Sequence, residues 1–595
     1  MNQPNFDVNL LDRTEKIQDF MDWIKFICHA PTILSIDTET TGLEWWSYRF
    51  TRLVQFGTPE GGWAVPVDWF GRVIHDAMSH LVAADKDVVM HNSKFDMHAL
   101  EAEGYPVPHW AHVHDTAILL RLRRSDMSAA LKGKQTAELL GKWIYKGQGW
   151  LGARTKELGL RGEGKWRYIP VDEEAYWAYG IFDTCLTAML FKHADVRQHV
   201  DTPQYLREMH YQAIMYRCES RGLRINENWT RNMQDQYQQQ IDTELHFLQS
   251  QGLKNPNSND QVAELFETDY AWVPEVFTPS GEPALNKDVL ATLAAAGGMQ
   301  TDVVESLIRY KRAIKWKGTY IDRFLTQQDR HGFIHPSINT MGARTGRTTV
   351  QLPAVQTLPS RDFVIRKCIQ PPVGHEWYSV DYSNQEPRAL AHYGASDRLR
   401  RFFLEGEGSV HDFVAGNLFG EGYDKGQRDI AKAFGLGRSY GAGISKLAEA
   451  SGLPEAQVER QLPEYDKLMG LTALNAGIEQ AQLDRDPMYV VTKGGRRVYA
   501  DDEKMYTLTN YLMQGSGADM LKDAAIRLDM AGFSDYILLP VHDELTFGLP
   551  KGEEGKEMAQ EIARLMEDDS YSVPMPVDIE GPGDSWGALY EEKEA

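Results

Sequence analysis

A chain of 595 residues, 42% hydrophobic and 25% charged, has an ordinary globular composition and is too long for one core; the length suggests roughly three or four domains. Its cysteines, Cys28, Cys185, Cys218 and Cys368, form no C-x-x-C pair, which argues against a zinc ribbon or disulfide framework and fits a reducing cytoplasm. The formal charge of −22 opposes wholesale phosphate binding, although a local basic cleft remains compatible with it.

The first residues, "MNQPNFDVNLLDRTEKIQDF", carry acids where a secretion signal needs an apolar run, and no later stretch is apolar enough to span a bilayer. From residue 32 to about 197, strands and helices alternate. "ILSIDTETTGL", "RLVQFGT", "GWAVPV" and "KDVVMHN" predict strands, and "SKFDMHALEAEG" and "DEEAYWAYGIFDTCLTAMLFKHADV" predict helices, the pattern of an α/β layered domain. From 204 to about 330 the chain reads as helical, in "YLREMHYQAIMYRCESRG", "WTRNMQDQYQQQIDTELHFLQSQG" and "SLIRYKRAIKWKGTYIDRFLTQQ", with turn-rich breaks at 255–259 and 278–282. From 332 onward strands return between helices. There is no internal repeat and no low-complexity tract. The tail "EEKEA" reads as solvated. Two basic stretches stand out. One holds Arg344, Arg347, Arg361, Arg366 and Lys367 against the single acid Asp362; the other holds Lys493, Arg496 and Arg497.

Four acids lie in the first part. Asp37 and Glu39 are two apart on a predicted strand, so their carboxylates share a face. Like charges so close repel unless a cation lies between them. Asn92 and Asp96 are four apart at a helix start, and Tyr179 and Asp183 are four apart on a helix, so each pair shares a face. Singly these are ordinary residues: surface acids, a capping Asn, a packed Tyr. Their order, D-x-E, N-x-x-x-D, Y-x-x-x-D, resembles the DEDD 3′→5′ proofreading exonucleases in the branch with a tyrosine in the last motif. The resemblance spans roughly residues 33–190. It implies an RNase H-like fold in which Asp37, Glu39, Asp96 and Asp183 hold two divalent ions, Tyr179 orients the attacking water and Asn92 supports the site.

Further on, in "EWYSVDYSNQEPRALAH" a short apolar run ends on Asp381, Glu386 follows five residues later, and the chain turns helical. A strand-ending Asp is often a turn cap, but a carboxylate on a rigid strand end is also a ligand for a hard cation. "YILLPVHDELTFGLP" predicts a hairpin with His542, Asp543 and Glu544 at its tip. Side by side, Asp381 and Asp543 would make a second two-metal site. Between them, "QRDIAKAFGLGRSYG" puts Arg428, Lys432 and Leu436 on one helical stripe, suited to a triphosphate. Gly435 and Gly437 cost that helix about 1 kcal/mol each against Ala, as expected where backbone lies close to a ligand or must move.

"DYSNQEPRALAH", "RDIAKAFGLGRSYG" and "VHDEL" resemble motifs A, B and C of the family A DNA polymerases. "RTGRTTVQLPAVQTLP", "NYLMQGSGADMLKDAAI", "TPSGEPALNKDVLATLA" and "YKRAIKWKGTYID" extend the likeness over nearly the whole chain. The resemblance implies an α/β multi-domain architecture. An RNase H-like exonuclease domain (1–200) precedes a right-hand polymerase domain (201–595), with thumb about 205–341, palm about 342–405 and 500–595, and fingers about 406–499. No 5′-nuclease domain is expected ahead of the exonuclease, and no long processivity-factor insertion in the thumb. The compact form resembles a bacteriophage replicative polymerase. The implied cofactor is Mg²⁺, two ions per active site, with Mn²⁺ as substitute. The implied partners are primer-template DNA and dNTPs, with helicase, primase and single-strand-binding protein as replisome partners, for a monomer in the bacterial cytoplasm.

The implied roles follow the motifs. Asp381 and Asp543 bind both metals, and Glu544 shapes the site. Arg428, Lys432 and His411 bind the incoming phosphates, and Lys432 protonates the pyrophosphate. Glu386 crowds the sugar 2′ position and hydrogen-bonds Tyr440, excluding ribonucleotides. Arg347, Asn510, Gln514 and Gln356 contact DNA near the newest pair, where the minor groove offers shape rather than sequence. Three positions depart from the pattern. Leu436 stands where Phe or Tyr is usual, predicting slower turnover. Tyr506 stands where Arg is common, and Pro387 where Leu is usual, at a helix start that tolerates proline. The rival functions are a DEDD nuclease with a DNA-binding platform, a single-subunit RNA polymerase and an inactive interaction protein. The paired acids Asp381 and Asp543 oppose the first, and Glu386 with the proofreading acids opposes the second.

Overall fold

In the computed structural model the described residues are 5–47, 50–278, 281–295, 297, 301–359, 363–406, 408–439, 441–501 and 504–593. The first layer is a six-stranded mixed sheet. In spatial order its strands are Asp7–Leu10, Gly61–Pro66, Thr51–Gly57, Leu34–Thr40, Val88–Met90 and Val113–Asp115. Leu34–Thr40 runs antiparallel to Thr51–Gly57 and parallel to Val88–Met90, which places it in the middle. Asp7–Leu10, Val113–Asp115 and the amphipathic helix Ile17–His29 carry weak sequence signals and complete this α/β unit beyond the predicted elements. Helix Glu174–Lys192 lies against the sheet. A Cβ on Gly57 would fall 2.1 Å from Thr184 Oγ1, and one on Gly180 2.3 Å from Gln55 Nε2, so both glycines are needed for the close approach.

Helix Pro203–Arg221 joins this layer to the rest. Its start is set by the Thr202 hydroxyl, which accepts from the Tyr205 N–H, and by Pro203 in the first turn. Gly222, at φ 68°, ends it. Tyr205, Met209 and Tyr216 pack into the first core, while Tyr211, Ile214, Met215 and Cys218 pack into the largest core. A largely buried knot fastens the same helix to helix Thr507–Met530. Glu208 accepts from Lys522 at 2.8 Å and pairs with Arg496, and Asp519 pairs with Arg496 at 2.6 Å and Arg207 at 3.2 Å. Removing one member would strand a buried charge, at a cost of about 3–5 kcal/mol.

Helices Glu227–Ser250, Asn259–Tyr270, Lys287–Ala295 and Thr301–Trp316 enclose a separate small core. The expected unbroken helix after 306 is interrupted by a π turn at Lys317–Ile321, containing Gly318, before helix Asp322–Thr326. The largest core centres on an antiparallel four-stranded sheet, ordered Ile537–Val541, Glu544–Pro550, His375–Tyr382 and Val577–Gly583. Trp377, on the His375–Tyr382 strand, stacks on Trp586 at 5.7 Å under this sheet. No helix among the described residues is long and apolar enough to cross a membrane.

Candidate active sites

The first site opens on the middle strand of the mixed sheet. Asp37 and Glu39 are half-buried beside the buried Ile36 and Thr38, so the alternation read from sequence holds. The Thr38 hydroxyl donates to Asp96 at 2.7 Å and fixes that helix-borne acid against the strand. Helix Ser93–Ala102 begins after Asn92, which adopts the left-handed region at φ 68°. The N–H groups of Asn92 and Ser93 donate to the Asp115 carboxylate at 3.1 and 2.7 Å, and Gln212 donates to it at 2.7 Å. Asn92 thus shapes the turn through its backbone, and Asp115, which sequence reading missed, orients the Asp96 helix against helix Pro203–Arg221. Asp183 and Tyr179 come from helix Glu174–Lys192 and hydrogen-bond one another.

Burial and crowding push these acids toward their neutral forms. Withdrawal from water, with the Asp183 charge adding to it, raises Asp37 to about 7. Burial raises Glu39 and Asp96 well above the carboxylate range, reinforced by Asp37. Asp183 is also raised by burial, against the opposing pull of Lys132, whose buried ammonium pairs with it. Lys132, in the turn between helices Thr116–Arg123 and Lys134–Leu140, was not anticipated.

The second site lies on the antiparallel sheet. Asp381 sits near the end of its strand, directly opposite Glu544 on one side and Asp578 on the other. Asp543 occupies the two-residue tip between strands Ile537–Val541 and Glu544–Pro550, after His542 in the left-handed region at φ 57°. Its carbonyl accepts from the Tyr382 N–H at 3.4 Å. The two distant aspartates are therefore neighbours, as the motifs require. Burial, then the charges of Asp543 and Glu544, raise Asp381 to about 8; burial raises Glu544 to about 7 and lifts Asp543 as well. Asp381 Oδ1 and Glu544 Oε1 are buried with no hydrogen-bond partner.

The remaining expected site residues divide. His411, Arg428 and Lys432 come together: burial and then the two cations lower the His411 pKa. Lys432 is exposed, and Arg428 is held by Asp412 at 2.7 Å. Gly435 has room for a Cβ, whereas one on Gly437 would fall 2.6 Å from Leu447 Cδ2, so packing against helix Ile444–Ser451 explains the second glycine. Glu386 and Pro387 lie in the first turn of helix Gln385–Tyr393, where proline is tolerated. Arg347 donates to Glu386 at 2.7 Å. Tyr440 lies outside the described residues, as does the Leu436 side chain. Asn510 is buried and Gln514 half-buried on helix Thr507–Met530. Gln356 accepts from the Val350 N–H at 3.1 Å and donates to the Pro540 carbonyl at 2.9 Å, bracing the Asp543 hairpin from within. The exposed Tyr506 reaches over Gly441, where a Cβ would come within 2.9 Å of its ring.

The cations of the two basic stretches are only partly free. Arg366 is buried over Trp586 at 4.5 Å and Tyr590 at 4.7 Å, and Lys367 pairs with Glu591. Arg344 pairs with Asp501 at 3.2 Å, and Arg496 belongs to the buried knot. Several of these cations are thus committed to partners distant in sequence, while Lys493 and Arg497 remain exposed.

Both clusters consist of oxygen donors, the chemistry preferred by Mg²⁺ and Mn²⁺, and both leave buried carboxylate oxygens without a hydrogen-bond partner. They fit hard divalent cations. As the side chains stand, no three of the described His, Cys, Asp or Glu residues are drawn together into a ready-made cage.

An antiparallel sheet presenting two neighbouring aspartates, in one chain with a helix bearing a cationic stripe and an α/β layer with its own acids, is the arrangement expected of a nucleic-acid polymerase. The model for DNA polymerase family A matches residues 226–588, more than half of the chain, and the chain belongs to that family. It is 30% identical to the DNA polymerase of Mycobacterium phage D29 over 98% of this chain and 97% of that protein. It is 29% identical to the DNA polymerase of Mycobacterium phage L5 over the same shares. The fold is similar, at a TM-score of 0.76 and 22% identity, to the POL domain of Pol1 from M. smegmatis in complex with DNA primer-template and dNTP, covering 98% of this chain and all of that one.

Proposed function

We propose that this family A DNA polymerase replicates phage DNA, extending a primer 3′ end with dNTPs by two-metal phosphoryl transfer and excising mispaired 3′ nucleotides at the first cluster. The observation that carries the polymerase reading is the placement of Asp381 opposite Glu544 and beside Asp543, with a buried carboxylate oxygen left unpartnered. Asp381 and Asp543 would hold two divalent ions at one site; Asp37, Glu39, Asp96 and Asp183 would hold two at the other. Bound there, Mg²⁺ or Mn²⁺ supplies an activated oxygen nucleophile and neutralises charge on the leaving group.

The chain's own residues supply the rest. Arg428, Lys432 and His411 receive the triphosphate from the helix side, and Lys432 donates a proton to the departing pyrophosphate. Arg428 would exchange Asp412 for phosphate oxygens. Glu386, held by Arg347, fills the space a ribose 2′-OH needs. Asn510 and Gln514 face the newest base pair, with Arg347 beside them. Tyr179 orients the attacking water at the exonuclease cluster. Residues 1–200 form the exonuclease domain and 201–595 the polymerase domain. Helicase, primase and single-strand-binding protein would be partners of a monomer.

A labelled primer-template incubated with Mg²⁺, with and without dNTPs, tests the reading. Asp381→Ala should lose extension and keep 3′ degradation, and Asp37→Ala the reverse. Extension surviving in Asp381→Ala would overturn the polymerase assignment. Degradation surviving in Asp37→Ala would overturn the proofreading assignment.

A further inference from the structure

The exonuclease cluster contains a cation of its own. Lys132 is almost fully withdrawn from solvent, with 4% of its side chain exposed, and its Nζ pairs with Asp183. The same ammonium lies 3.4 Å from the centroid of the Tyr179 ring and 5.5 Å from that of Phe182. Asp37 and Glu39 are close enough to act on it electrostatically. Its loop is anchored: the buried Gln135 amide donates to the carbonyls of Leu120 and Arg124 at 3.2 and 3.1 Å. A flexible surface lysine would gain little by entering such a site, because burying an ammonium is costly unless fixed negative charge receives it.

We propose that Lys132 is the built-in counter-cation of this cluster and a positioning residue for its metals. It holds Asp183 and Tyr179 in place and offsets the charge of Asp37 and Glu39 before ions arrive, and ion loading is an exchange in which the ammonium releases Asp183. This rests on reading the cluster as a divalent-ion site. Among the described residues the second cluster has no counterpart to Lys132. Among its described neighbours, Arg347 is committed to Glu386, and Arg366 is packed on Trp586 and Tyr590. Lys132 therefore makes the proofreading site the harder of the two to load, with synthesis favoured when divalent ions are scarce.

Direct Mn²⁺ binding tests this, followed by loss of the free-ion electron paramagnetic resonance signal. The protein carries Asp381→Ala and Asp543→Ala to silence the second cluster. In that background, Lys132→Met keeps side-chain length and apolar packing but drops the charge, and should tighten Mn²⁺ binding about tenfold. Lys132→Arg keeps the charge and should bind within about twofold of the parent. Without divalent ions Lys132→Met should melt at lower temperature than the parent, with the gap closing at saturating Mn²⁺. If Lys132→Met does not fold, Lys132→Gln carries the same expectation. Unchanged or weaker binding in the uncharged variants, or equal tightening in Lys132→Arg, would overturn the exchange. Adding Asp37→Ala separates the two readings. If it abolishes tight binding while Lys132 variants have no effect, only the exchange fails; if tight binding survives Asp37→Ala, the ion-site reading fails and the exchange falls with it.

Discussion

The two acid clusters solve one electrostatic problem in different ways. The first gathers four carboxylates from a strand and two helices and places Lys132 among them. The second puts Asp381 and Glu544 on adjoining strands of one sheet with Asp543 at the hairpin tip beside them, leaving Asp381 Oδ1 and Glu544 Oε1 unpartnered. The cations proposed to serve it, Arg428 and Lys432, lie on a separate helix. A site that works on each incoming nucleotide gains from cations that arrive with or beside the substrate. Under the proposed proofreading role, a site that must not degrade a correct 3′ end would gain from one that has to be displaced. Rigid carboxylates at rigid spacing are common to both; the placement of positive charge differs.

The sharpest way to break the comparison is to remove an acid from each cluster in turn. Asp543→Ala should reduce primer extension at least about 10³-fold with 3′ degradation intact, and Asp183→Ala should do the converse, measured on one labelled primer. Next comes the external cation. Arg428→Ala should lower kcat/KM for dNTP about 10²-fold, with the loss shared by all four nucleotides in single-nucleotide kinetics. A base-dependent loss would mean that Arg428 reads the nucleotide rather than its phosphates. A smaller effect is expected at the sugar. Glu386→Ala should raise ribonucleotide incorporation relative to deoxynucleotide about tenfold, scored by alkali-sensitive products.

The pH dependence of stability sharpens the comparison without substrate. Asp381 is raised from its usual 3.8 to about 8, and Glu544 from 4.5 to about 7. Between the unfolded and folded values, the folded protein keeps protons that the unfolded chain has lost. Stability therefore falls as pH rises from about 4 to about 8, by an amount on the order of a few kcal/mol, and levels off beyond. In chelator, Asp381→Asn should melt higher than the parent at pH 8 and level with it near pH 4; calorimetric scans across the window measure this. Smallest of all, Leu436→Phe should speed single-turnover incorporation by about two- to tenfold if a ring under the sugar is what the chain lacks.

Much of this was legible in the sequence. Asp37 and Glu39 two apart on an apolar strand, Asp183 one turn after Tyr179, and "VHDEL" between two apolar runs each announce geometry through local periodicity, and the structure places them accordingly. The middle strand, the hairpin tip and the cationic stripe needed only periods of two and 3.6. What escaped were residues defined by distant partners. Lys132 sits in an ordinary polar turn, and nothing local shows that Asp183 receives it. Arg496 reads as a surface cation until Glu208 and Asp519 close around it. Helix Pro203–Arg221 looks like one amphipathic helix, yet it serves two cores, a property only the assembled fold defines. Gln356, expected at the DNA, also braces the hairpin that presents Asp543, a role set by the distant Pro540 carbonyl.

The central claim, that Asp381 and Asp543 meet across shared divalent cations, is tested most directly by a crystal of the protein with primer-template, a non-hydrolysable dNTP analogue and Mn²⁺, read by anomalous scattering. The account predicts two Mn²⁺ peaks between the two carboxylates, with the triphosphate reaching Arg428 and Lys432. Ions bound elsewhere, or carboxylates turned apart with the nucleotide in place, would contradict it.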